Sequence, residues 1–229
     1  MVKPQWINSP AQVQESNRLG RQLVILGAGG HGQVAADCAE TMNIFSSIVF
    51  LDEVYPDKTQ AGCWSILGKG ESAIKFDKQT TCFFVAIGDN SVRQRVLQTL
   101  IHENLQIISL IHPTAFISAH ASIEKGVLVC ANATINHKAV VGIGCIINTA
   151  ASIDHDCVIG NYVHVSVGVR LAGAIKIEDR SFLGINSCVI QGVNIGKDCI
   201  LGAGATLIKD LPSNTTAVGT PAKVIKEHE

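Results

Sequence analysis

A histidine with an aspartate on each side stands in the second half of the chain, at Asp154-His155-Asp156. An imidazole with an ordinary pKa of about 6.5 accepts a proton near neutral pH, which suits a general base. A carboxylate that reaches the ring would hold its tautomer and favour the protonated form. Because neighbouring side chains on a strand point apart, only a turn would bring one of the two aspartates to the ring. The string predicts a proton acceptor, with either aspartate as its partner.

Two other histidines lie at regular distances from His155. His137 precedes it by 18 residues and His164 follows it by nine. A zinc site is one interpretation, but the zinc sites of β-helix carbonic anhydrases include a histidine pair five residues apart. These histidines contain no such pair and the cysteines form no CxxC pair, so we predict no metal. For any single histidine in a turn, ordinary solvation is the competing interpretation.

A glycine-rich string near the N-terminus is the second place where chemistry is expected. Gly27-Ala28-Gly29-Gly30-His31-Gly32 follows the apolar run Leu23–Leu26 and precedes a predicted helix. Glycines at this position let the backbone approach phosphate groups at a helix N-terminus. A second apolar run, Ile48–Leu51, ends in Asp52-Glu53, whose carboxylates would accept hydrogen bonds from a ribose or a base. The pattern predicts a nucleotide-binding βαβ unit, and a tight turn that binds nothing is the alternative.

A third apolar run, Cys82–Ile87, ends in Gly88-Asp89-Asn90. Because ligands of open α/β sheets bind at the carboxyl ends of the strands, Gly88 is expected close to the glycine-rich string. The segment 21–108 is about half the size of a full dinucleotide domain, which favours a mononucleotide-type ligand over NAD. Helices are predicted at Gln33–Met42 and from Ser91 to about Asn104. His31 either donates to the ligand or caps its helix, and both interpretations stay open.

The elements that must carry His155 come from a repeat of six residues. From Ile111 to Leu207 every sixth residue is Ile, Leu or Val, and the residue two before it is usually small. A period of six fits neither a helix nor an ordinary strand, but it is a known solenoid period. Three hexads close one triangular coil, so the run predicts a parallel β-helix of about five to six coils. The period fails at Ser213, and the tail Lys209–Glu229 is expected to leave the prism and cap its open end.

Composition limits the classes of partner. The formal net charge is −1 and the basic residues are scattered, so neither nucleic acid nor a membrane surface is expected. The polar N-terminus has no signal-peptide core, and no run of about 18 apolar residues predicts a membrane span. Cys145, Cys157 and Cys199 occupy the small position of the repeat. This placement favours reduced, structural cysteines and a cytoplasmic protein.

Taken together, these strings resemble the sugar O/N-acyltransferase family of left-handed β-helix enzymes. The family includes PglD-type UDP-4-amino-sugar N-acetyltransferases and NeuD-type sialic acid O-acetyltransferases. The handedness of the coil is taken from the resemblance, since the general preference for right-handed crossovers predicts the opposite. The resemblance covers nearly the whole chain from about Arg21. The strings that carry it are Ile25–Gly32, Phe50–Glu53, Ala86–Asn90, Ile146–Thr149, His155–Gly160, His164–Gly168 and Phe182–Ser187.

The resemblance implies three parts and an assembly. Residues 1–20 would be an extension, and 21–108 an α/β Rossmann-like domain that binds a nucleotide sugar. Residues 109–229 would be an all-β left-handed parallel β-helix of hexapeptide repeats, the acyltransferase domain, with a C-terminal cap. The chain would form a homotrimer, with acetyl-CoA as co-substrate in the grooves between neighbouring prisms.

The resemblance also implies roles for individual residues. His155 would be the general base, Asp156 would raise its basicity, and Asn148 would help to orient the site. Family members often carry glutamate in place of Asp156 and glycine in place of Ala203. The predicted acetyl-CoA contacts are His164, Gly173, Ile185 and the backbone at Ala203. The predicted nucleotide-sugar contacts are Gly29, Gly30, His31, Asp52, Glu53 and Gly88.

The leading hypothesis is acetyl-CoA-dependent N-acetylation of a nucleotide-linked 4-amino-4,6-dideoxy sugar, with UDP as the expected nucleotide. Such a reaction would serve glycan or polysaccharide biosynthesis. Two alternatives stay open. One is O-acetylation of sialic acid or another sugar, and the other is a non-catalytic trimeric module that binds a nucleotide.

Overall fold

The computed structural model describes residues 20–228, so nearly all of the predicted extension at 1–20 lies outside the described residues. An α/β unit comes first in the described chain. Its elements are strand β1 (Arg21–Leu26), helix α1 (Gly30–Met42), strands β2 (Phe45–Leu51), β3 (Gln60–Ala61) and β4 (Trp64–Ser65), a 3-10 helix (Gly70–Lys75), strand β5 (Thr81–Val85) and helix α2 (Asn90–His102).

Three parallel strands form the sheet of this unit, in the order β2-β1-β5. Ile25 in the central strand pairs with Phe50 on one side and Phe84 on the other. Both faces of a central parallel strand are buried, which explains the continuous apolar run of β1. Its Leu23 and Val24 have no exposed surface. The short strands β3 and β4 form a separate antiparallel pair.

Helix α1 begins earlier than predicted, and the difference affects the site. It starts at Gly30 rather than Gln33, so His31 and Gly32 lie in its first turn and not in a loop. The glycines allow this because the helix packs directly on the turn: a Cβ atom on Gly32 would lie 1.9 Å from the Gly27 carbonyl oxygen. The ends of the other predicted elements shift by only a few residues.

The repeat folds into two-residue strands joined by short turns. Each strand pairs in parallel with the strand 18 residues further on, as Thr134 pairs with Ser152, so three hexads make one coil as predicted. The strands are β6 (Leu110–Ile111), β7 (Phe116–Ile117), β8 (Ser122–Ile123), β9 (Leu128–Val129), β10 (Thr134–Ile135), β11 (Val140–Val141), β12 (Ile146–Ile147), β13 (Ser152–Ile153), β14 (Val158–Ile159), β15 (His164–Val165), β16 (Arg170–Leu171), β17 (Lys176–Ile177), β18 (Phe182–Leu183), β19 (Cys188–Val189), β20 (Asn194–Ile195), β21 (Ile200–Leu201) and β22 (Thr206–Leu207).

These strands stack into the three sides of a prism. Side A holds β7, β10, β13, β16, β19 and β22, and side B holds β8, β11, β14, β17 and β20. Side C holds β6, β9, β12, β15, β18 and β21, followed by two C-terminal strands. The aliphatic residue of each hexad and the small residue two before it point inward: Ile147, Cys145, Ile153 and Ala151 have no exposed surface. Stacked coils therefore share one continuous core.

The turns of the solenoid form three corners, which we name AB, BC and CA after the sides that they join in chain order. A residue in the left-handed conformation recurs in these turns, for example Ala150 with φ of 55° and Asp156 with φ of 57°. This conformation is uncommon for residues other than glycine, and here it closes the tight turn between two sides. Side chains in the turns point away from the core, so chemistry on the solenoid must lie at its corners or on its outer faces.

The C-terminal tail stays with the prism longer than predicted. Strand β23 (Thr215–Val218) continues side C in parallel with β21, and β24 (Lys223–Glu227) returns beside it in the antiparallel direction. Leu211 and Ala217 lie in the same core as the repeats. The expectation that the chain leaves the prism after Leu207 was therefore wrong as far as Val218, because inward apolar residues continue although their spacing is no longer six.

The α/β unit packs on side C. Leu110 and Leu128, which point outward from this side, have no exposed surface and share a buried cluster with Ala35 and Ala39 of α1. His31, in the first turn of α1, lies 6.1 Å from His164 of β15 between ring centroids, so the glycine-rich turn lies over the later strands of side C.

Candidate active site

His155 lies at the AB corner, and its ring meets one of its two neighbouring carboxylates. Asp156 Oδ2 lies 2.9 Å from His155 Nδ1. The left-handed turn at Asp156 brings its side chain back to the ring, which an extended strand would prevent. The hydrogen bond from His155 lowers the pKa of the Asp156 carboxyl group. A charged carboxylate on Nδ1 leaves Nε2 as the nitrogen that accepts a proton.

The second aspartate, Asp154, shapes the turn and does not contact the ring. Its Oδ1 accepts from the backbone N–H of His155 at 2.7 Å and from Asn136 Nδ2 at 3.0 Å. His137 occupies the same corner one coil earlier, and its carbonyl oxygen accepts from the Asp156 N–H at 3.0 Å. Its ring faces His120, with 4.8 Å between the ring centroids. The structure thus settles which aspartate reaches the imidazole.

Gly173 lies one coil later at the same corner, directly beside the His155 ring. A Cβ atom on Gly173 would lie 2.6 Å from His155 Nε2 and 2.5 Å from Cε1. The backbone N–H of His155 has the Asp154 carboxylate as its acceptor, whereas Ala172 precedes Gly173 and offers none. Within residues 20–228 the Gly173 N–H has no acceptor. An unpaired N–H next to a proton-accepting nitrogen can bind an oxyanion beside a base.

Asn148 at the CA corner and His164 on side C are joined by a hydrogen bond. Asn148 Nδ2 lies 3.3 Å from His164 Nε2, and Asn148 Oδ1 accepts from the Thr149 N–H at 2.8 Å. Because a backbone N–H can only donate, the amide oxygen of Asn148 faces Thr149 and its NH₂ group faces His164. His164 Nε2 is therefore an acceptor, and its ring proton is on Nδ1.

His164 and His31 lie close together where the α/β unit meets side C. Their ring centroids are 6.1 Å apart. Burial, and then the charge of Arg93, lower the pKa of His31 to about 4, and the same causes lower the pKa of His164 to about 3. Both rings are neutral at neutral pH. Within the described chain, His31 Nε2 and His164 Nδ1 are buried and make no hydrogen bond. The Gly88 carbonyl has a smaller, opposite effect on His164 and raises its pKa.

The glycines of the α/β unit fall into two groups. Gly27, with φ of 104°, and Gly32 are required by the turn itself. A Cβ atom on Gly29, Gly30 or Gly88 would meet nothing within 4 Å. These three predicted binding residues therefore line open space at the carboxyl edge of the sheet. Helix α1 starts at this edge with no side-chain cap, so its first N–H groups are available to a phosphate.

The acidic residues at the end of β2 already have partners. Asp52 Oδ2 accepts from the Ala28 N–H at 2.6 Å, and its Oδ1 accepts from the Val54 N–H at 3.0 Å. Glu53 Oε1 accepts from the Gly70 N–H at 3.2 Å. Asp52 thus fixes the glycine-rich turn, and its predicted contact with a ribose or base stays a prediction.

Comparisons with known proteins identify the family. Residues 22–100 match the PglD N-terminal domain, and residues 174–209 match the hexapeptide repeat of succinyl-transferase. The acetyltransferase domain of PglB from Neisseria gonorrhoeae FA1090, solved in complex with acetyl coenzyme A, is 33% identical. That match covers 90% of this chain and 100% of the other, with a TM-score of 0.87. The chain belongs to the PglD-type family of sugar N-acetyltransferases.

Two other family members are similar over almost their full length. PerB from Caulobacter crescentus, in complex with CoA and GDP-perosamine, is 33% identical over 90% of this chain and 97% of that chain, with a TM-score of 0.85. The GDP-perosamine N-acetyltransferase of Escherichia coli O157:H7 is 29% identical over 217 residues, 88% of this chain and 95% of that protein. The predicted family, fold class and acetyltransferase activity are confirmed, including the match to a left-handed β-helix. This activity excludes the alternative hypothesis of a non-catalytic trimeric module that binds a nucleotide.

The predicted catalytic residues of this sugar N-acetyltransferase and three of its four predicted acetyl-CoA contacts lie at two corners of one prism. His155 and Gly173 are at the AB corner, and Asn148, Ile185 and Ala203 are at the CA corner. The whole of side A separates the two corners, and side chains at different corners of a triangle point in different directions. A single chain therefore does not bring the two sets together.

Sequence reasoning missed one residue of the N-acetyltransferase, Arg93 in α2. Its side chain is only 1% exposed, and it shares the buried face of the helix with Leu97 and Leu100. A charged residue four and seven positions before two buried leucines was the available signal, because that spacing marks one face of a helix.

Residues 20–228 of the enzyme contain no group of three or more histidine, cysteine or acidic side chains placed to hold a metal ion. No helix in the same range is long and apolar enough to cross a membrane. All eight cysteines are free thiols.

Proposed function

We propose that this enzyme transfers the acetyl group of acetyl-CoA to the amine of a nucleotide-linked 4-amino-4,6-dideoxy sugar, with His155 as the general base. The observation that carries the proposal is the AB corner. There a histidine held by a carboxylate presents its free Nε2 beside an unpaired backbone N–H, that of Gly173. These are the two groups that acyl transfer to an amine requires.

The chemistry follows from these two groups. The sugar amine, neutral after losing its ammonium proton to water, attacks the thioester carbonyl carbon while His155 Nε2 takes a proton from the nitrogen. The carbonyl oxygen becomes an oxyanion, which accepts a hydrogen bond from the Gly173 N–H. When the tetrahedral intermediate collapses, the carbon–sulfur bond breaks, and the proton on His155 passes to the CoA thiolate. Asp156 stabilises the imidazolium during this cycle.

Three backbone N–H groups support the proposed binding of acetyl-CoA. Those of Gly173, Ile185 and Ala203 have no acceptor within residues 20–228. Ile185 and Ala203 are one coil apart at the CA corner, so an extended pantetheine chain along this corner would meet them in succession. The similar PglB domain was solved in complex with acetyl coenzyme A, which supports acetyl-CoA as the donor.

The α/β unit supports a nucleotide sugar as the acceptor. Gly29, Gly30 and Gly88 border open space at the start of α1, where the helix dipole favours a diphosphate. UDP was the nucleotide expected from the sequence. GDP is a second candidate, because two similar enzymes are named for GDP-perosamine.

A homotrimer, also part of the proposal, would complete the site. The AB corner holds the proposed base and Gly173, and the CA corner holds Ile185 and Ala203, so the groove needs the AB corner of one subunit beside the CA corner of its neighbour. Three-fold rotation repeats this contact identically and closes the ring.

The role of His155 is tested by His155→Ala, with His137→Ala as the matched control. His137 has the same turn position one coil earlier and is likewise exposed. Loss of a general base lowers kcat by about 10²–10⁴-fold, whereas the control is expected to stay within about twofold. Near-normal turnover by His155→Ala would contradict the assignment.

The acceptor is tested with UDP-, GDP- and CMP-linked amino sugars beside the corresponding free sugars. Binding to the folded protein raises its thermal midpoint, and acetyl transfer is followed by the release of CoA thiol. We expect turnover only with nucleotide-linked amines. Turnover of free sialic acid, with ester rather than amide products, would favour the O-acetyltransferase alternative.

A further inference from the structure

Arg93 is the largest side chain that is fully buried in the described chain. A buried guanidinium carries five N–H donors, and each one left unpaired would be costly. No carboxylate contacts it within residues 20–228. All five donors instead meet oxygen acceptors at 2.7–3.1 Å, namely the carbonyl oxygens of Ile87, Gly88, Gly144 and Tyr162 and the side-chain oxygen of Asn90.

These acceptors belong to both halves of the molecule. Gly144 and Tyr162 lie at the BC corner of the solenoid, on successive coils. Ile87 and Gly88 form the loop after β5, at the open edge of the sheet. Asn90, besides accepting from Arg93, donates through Nδ2 to the Arg180 carbonyl at 2.8 Å and the Ser181 carbonyl at 3.2 Å. One buried group thus fixes the Gly88 loop to the prism.

The Gly88 loop and the first turn of α1 face the same place on side C. The Gly88 carbonyl raises the pKa of the His164 ring. The centroid of the His31 ring lies 6.1 Å from the centroid of the same ring. Arg93 also contributes its charge to the low pKa values of both histidines. Its contacts therefore surround the side of the site where the sugar acceptor is proposed to bind.

We propose that Arg93 is a positioning residue for the acceptor: it holds the Gly88 loop and His31 in register with His164, and so sets where a nucleotide-linked sugar presents its amine. The proposal rests on the proposed function of the same site. Arg93 makes no hydrogen bond to the AB corner, to Ile185 or Ala203 at the CA corner, or to His164, and only its charge acts on the His164 ring, for which the resemblance implies a contact with acetyl-CoA. Its loss should therefore affect the nucleotide sugar much more than acetyl-CoA, whereas a purely structural contact would affect both equally or neither.

The test compares Arg93→Lys and Arg93→Met with matched substitutions of Arg95, which lies on the same helix but is exposed. Lysine keeps the charge but offers three donors on one nitrogen, so it cannot span both halves of the interface. Displacing a bound substrate by about 1 Å costs on the order of 100-fold in rate. For Arg93→Lys we expect kcat/KM for the nucleotide sugar to fall about 10–100-fold, with the Kd for acetyl-CoA within about twofold of wild type.

Equal losses for both substrates, or an unchanged kcat/KM for the nucleotide sugar in Arg93→Lys, would overturn the proposal. A comparable loss of kcat/KM for the nucleotide sugar in Arg95→Lys would also overturn the proposal. If Arg93→Met does not fold, Asn90→Ala replaces it, because it removes the one side-chain acceptor that Arg93 has within residues 20–228. We expect Asn90→Ala to change the kinetics in the same direction by a smaller factor.

A second readout separates this proposal from the proposed function. In wild-type protein with ¹⁵N-labelled histidine, the His164 ring should give the signal of the neutral Nδ1–H tautomer, with no substrate present. We expect Arg93→Met, or Asn90→Ala, to change that signal and Arg95→Met to leave it unchanged. An unchanged His164 signal would contradict the positioning role, whereas a wild-type enzyme that acetylates no nucleotide-linked amine would contradict only the proposed function.

Discussion

At the scale of single residues, the proposed base depends on the conformation of its turn as much as on the chemistry of its imidazole. Asp156 reaches His155 at 2.9 Å because it adopts the left-handed conformation, which aspartate tolerates better than most residues. Asp154, although equally close in sequence, is directed to Asn136 and to the backbone. Two adjacent carboxylates thus have different tasks, one electrostatic and one structural.

Gly173→Ala is expected to displace the base without unfolding the coil. Its new Cβ atom would lie 2.6 Å from His155 Nε2, so the ring must rotate away from Asp156, the Gly173 N–H or both. Misplacing a general base should lower kcat by about 10–100-fold. Steady-state kinetics and a thermal melt check this together, with the melting temperature expected to stay within a few degrees of wild type.

Gly192→Ala is the control: Gly192 lies in the same corner on the next coil, one turn position after the equivalent of Gly173. A Cβ atom there would meet nothing within 4 Å, but φ is 72°, which costs an alanine about 1–2 kcal/mol. We therefore expect the opposite result, a lower melting temperature with kcat preserved. If both variants lose stability and activity alike, the steric account of Gly173 is wrong.

At the scale of elements, the neutral histidines belong to the junction between α1 and side C. His31 comes from the first turn of the helix and His164 from β15, and burial holds both pKa values well below the usual 6.5. Within residues 20–228 the Gly88 carbonyl favours a charge on His164, but burial and the charge of Arg93 outweigh it. The contact between α1 and side C is therefore stable with neutral His31 and His164 rings, and protonation of either ring destabilises it.

The stability of the protein is expected to fall as the pH is lowered through 6. Between 6.5 and about 4 the unfolded chain binds a proton at each of these histidines and the folded chain does not. The free energy of unfolding then decreases with falling pH, by up to about 1.4 kcal/mol per pH unit for each histidine. Urea unfolding at a fixed protein concentration, near pH 7, 6 and 5, measures this slope.

His31→Asn and His164→Asn each remove one of the two titrations, so each should reduce the slope by about half. His102→Asn, at the exposed end of α2, should leave it unchanged. A wild-type slope near zero over this range would contradict the burial of neutral rings at the junction.

The strands and turns of the solenoid could be predicted from the sequence because they follow its six-residue repeat. One inward aliphatic every six residues fixed the coil, its length of 18 residues and the turn positions of His155 and Asn148. The start of α1 was missed because Gly32 packs on the Gly27 carbonyl, a contact that no periodicity records. Arg93 was missed because a charged side chain on a buried helix face has meaning only once its acceptors, four of them backbone carbonyls, are in place.

At the scale of the whole molecule, the separation of the two corners would make the proposed trimer a condition for catalysis. The base at the AB corner and the proposed acetyl-CoA contacts at the CA corner lie on either side of side A, so one chain alone would present two half-sites. The α/β unit covers side C and leaves side A accessible, with Phe116 59% exposed on its first strand. This is the side that a neighbouring prism would cover in the proposed trimer.

Mixed trimers test this arrangement directly. His155→Ala removes the base at the AB corner, and Ala203→Trp blocks the groove at the CA corner, where Ala203 is exposed. Each variant alone should be inactive. When both are co-expressed in equal amounts, a site is intact wherever the AB corner of an Ala203→Trp subunit meets the CA corner of a His155→Ala subunit. Random mixing places about one quarter of the sites in that state.

We expect roughly a quarter of wild-type activity in the co-expressed sample and none when the separately purified trimers are mixed without exchange. A site built within one subunit would give no recovery in either case, since every subunit would then carry one defect.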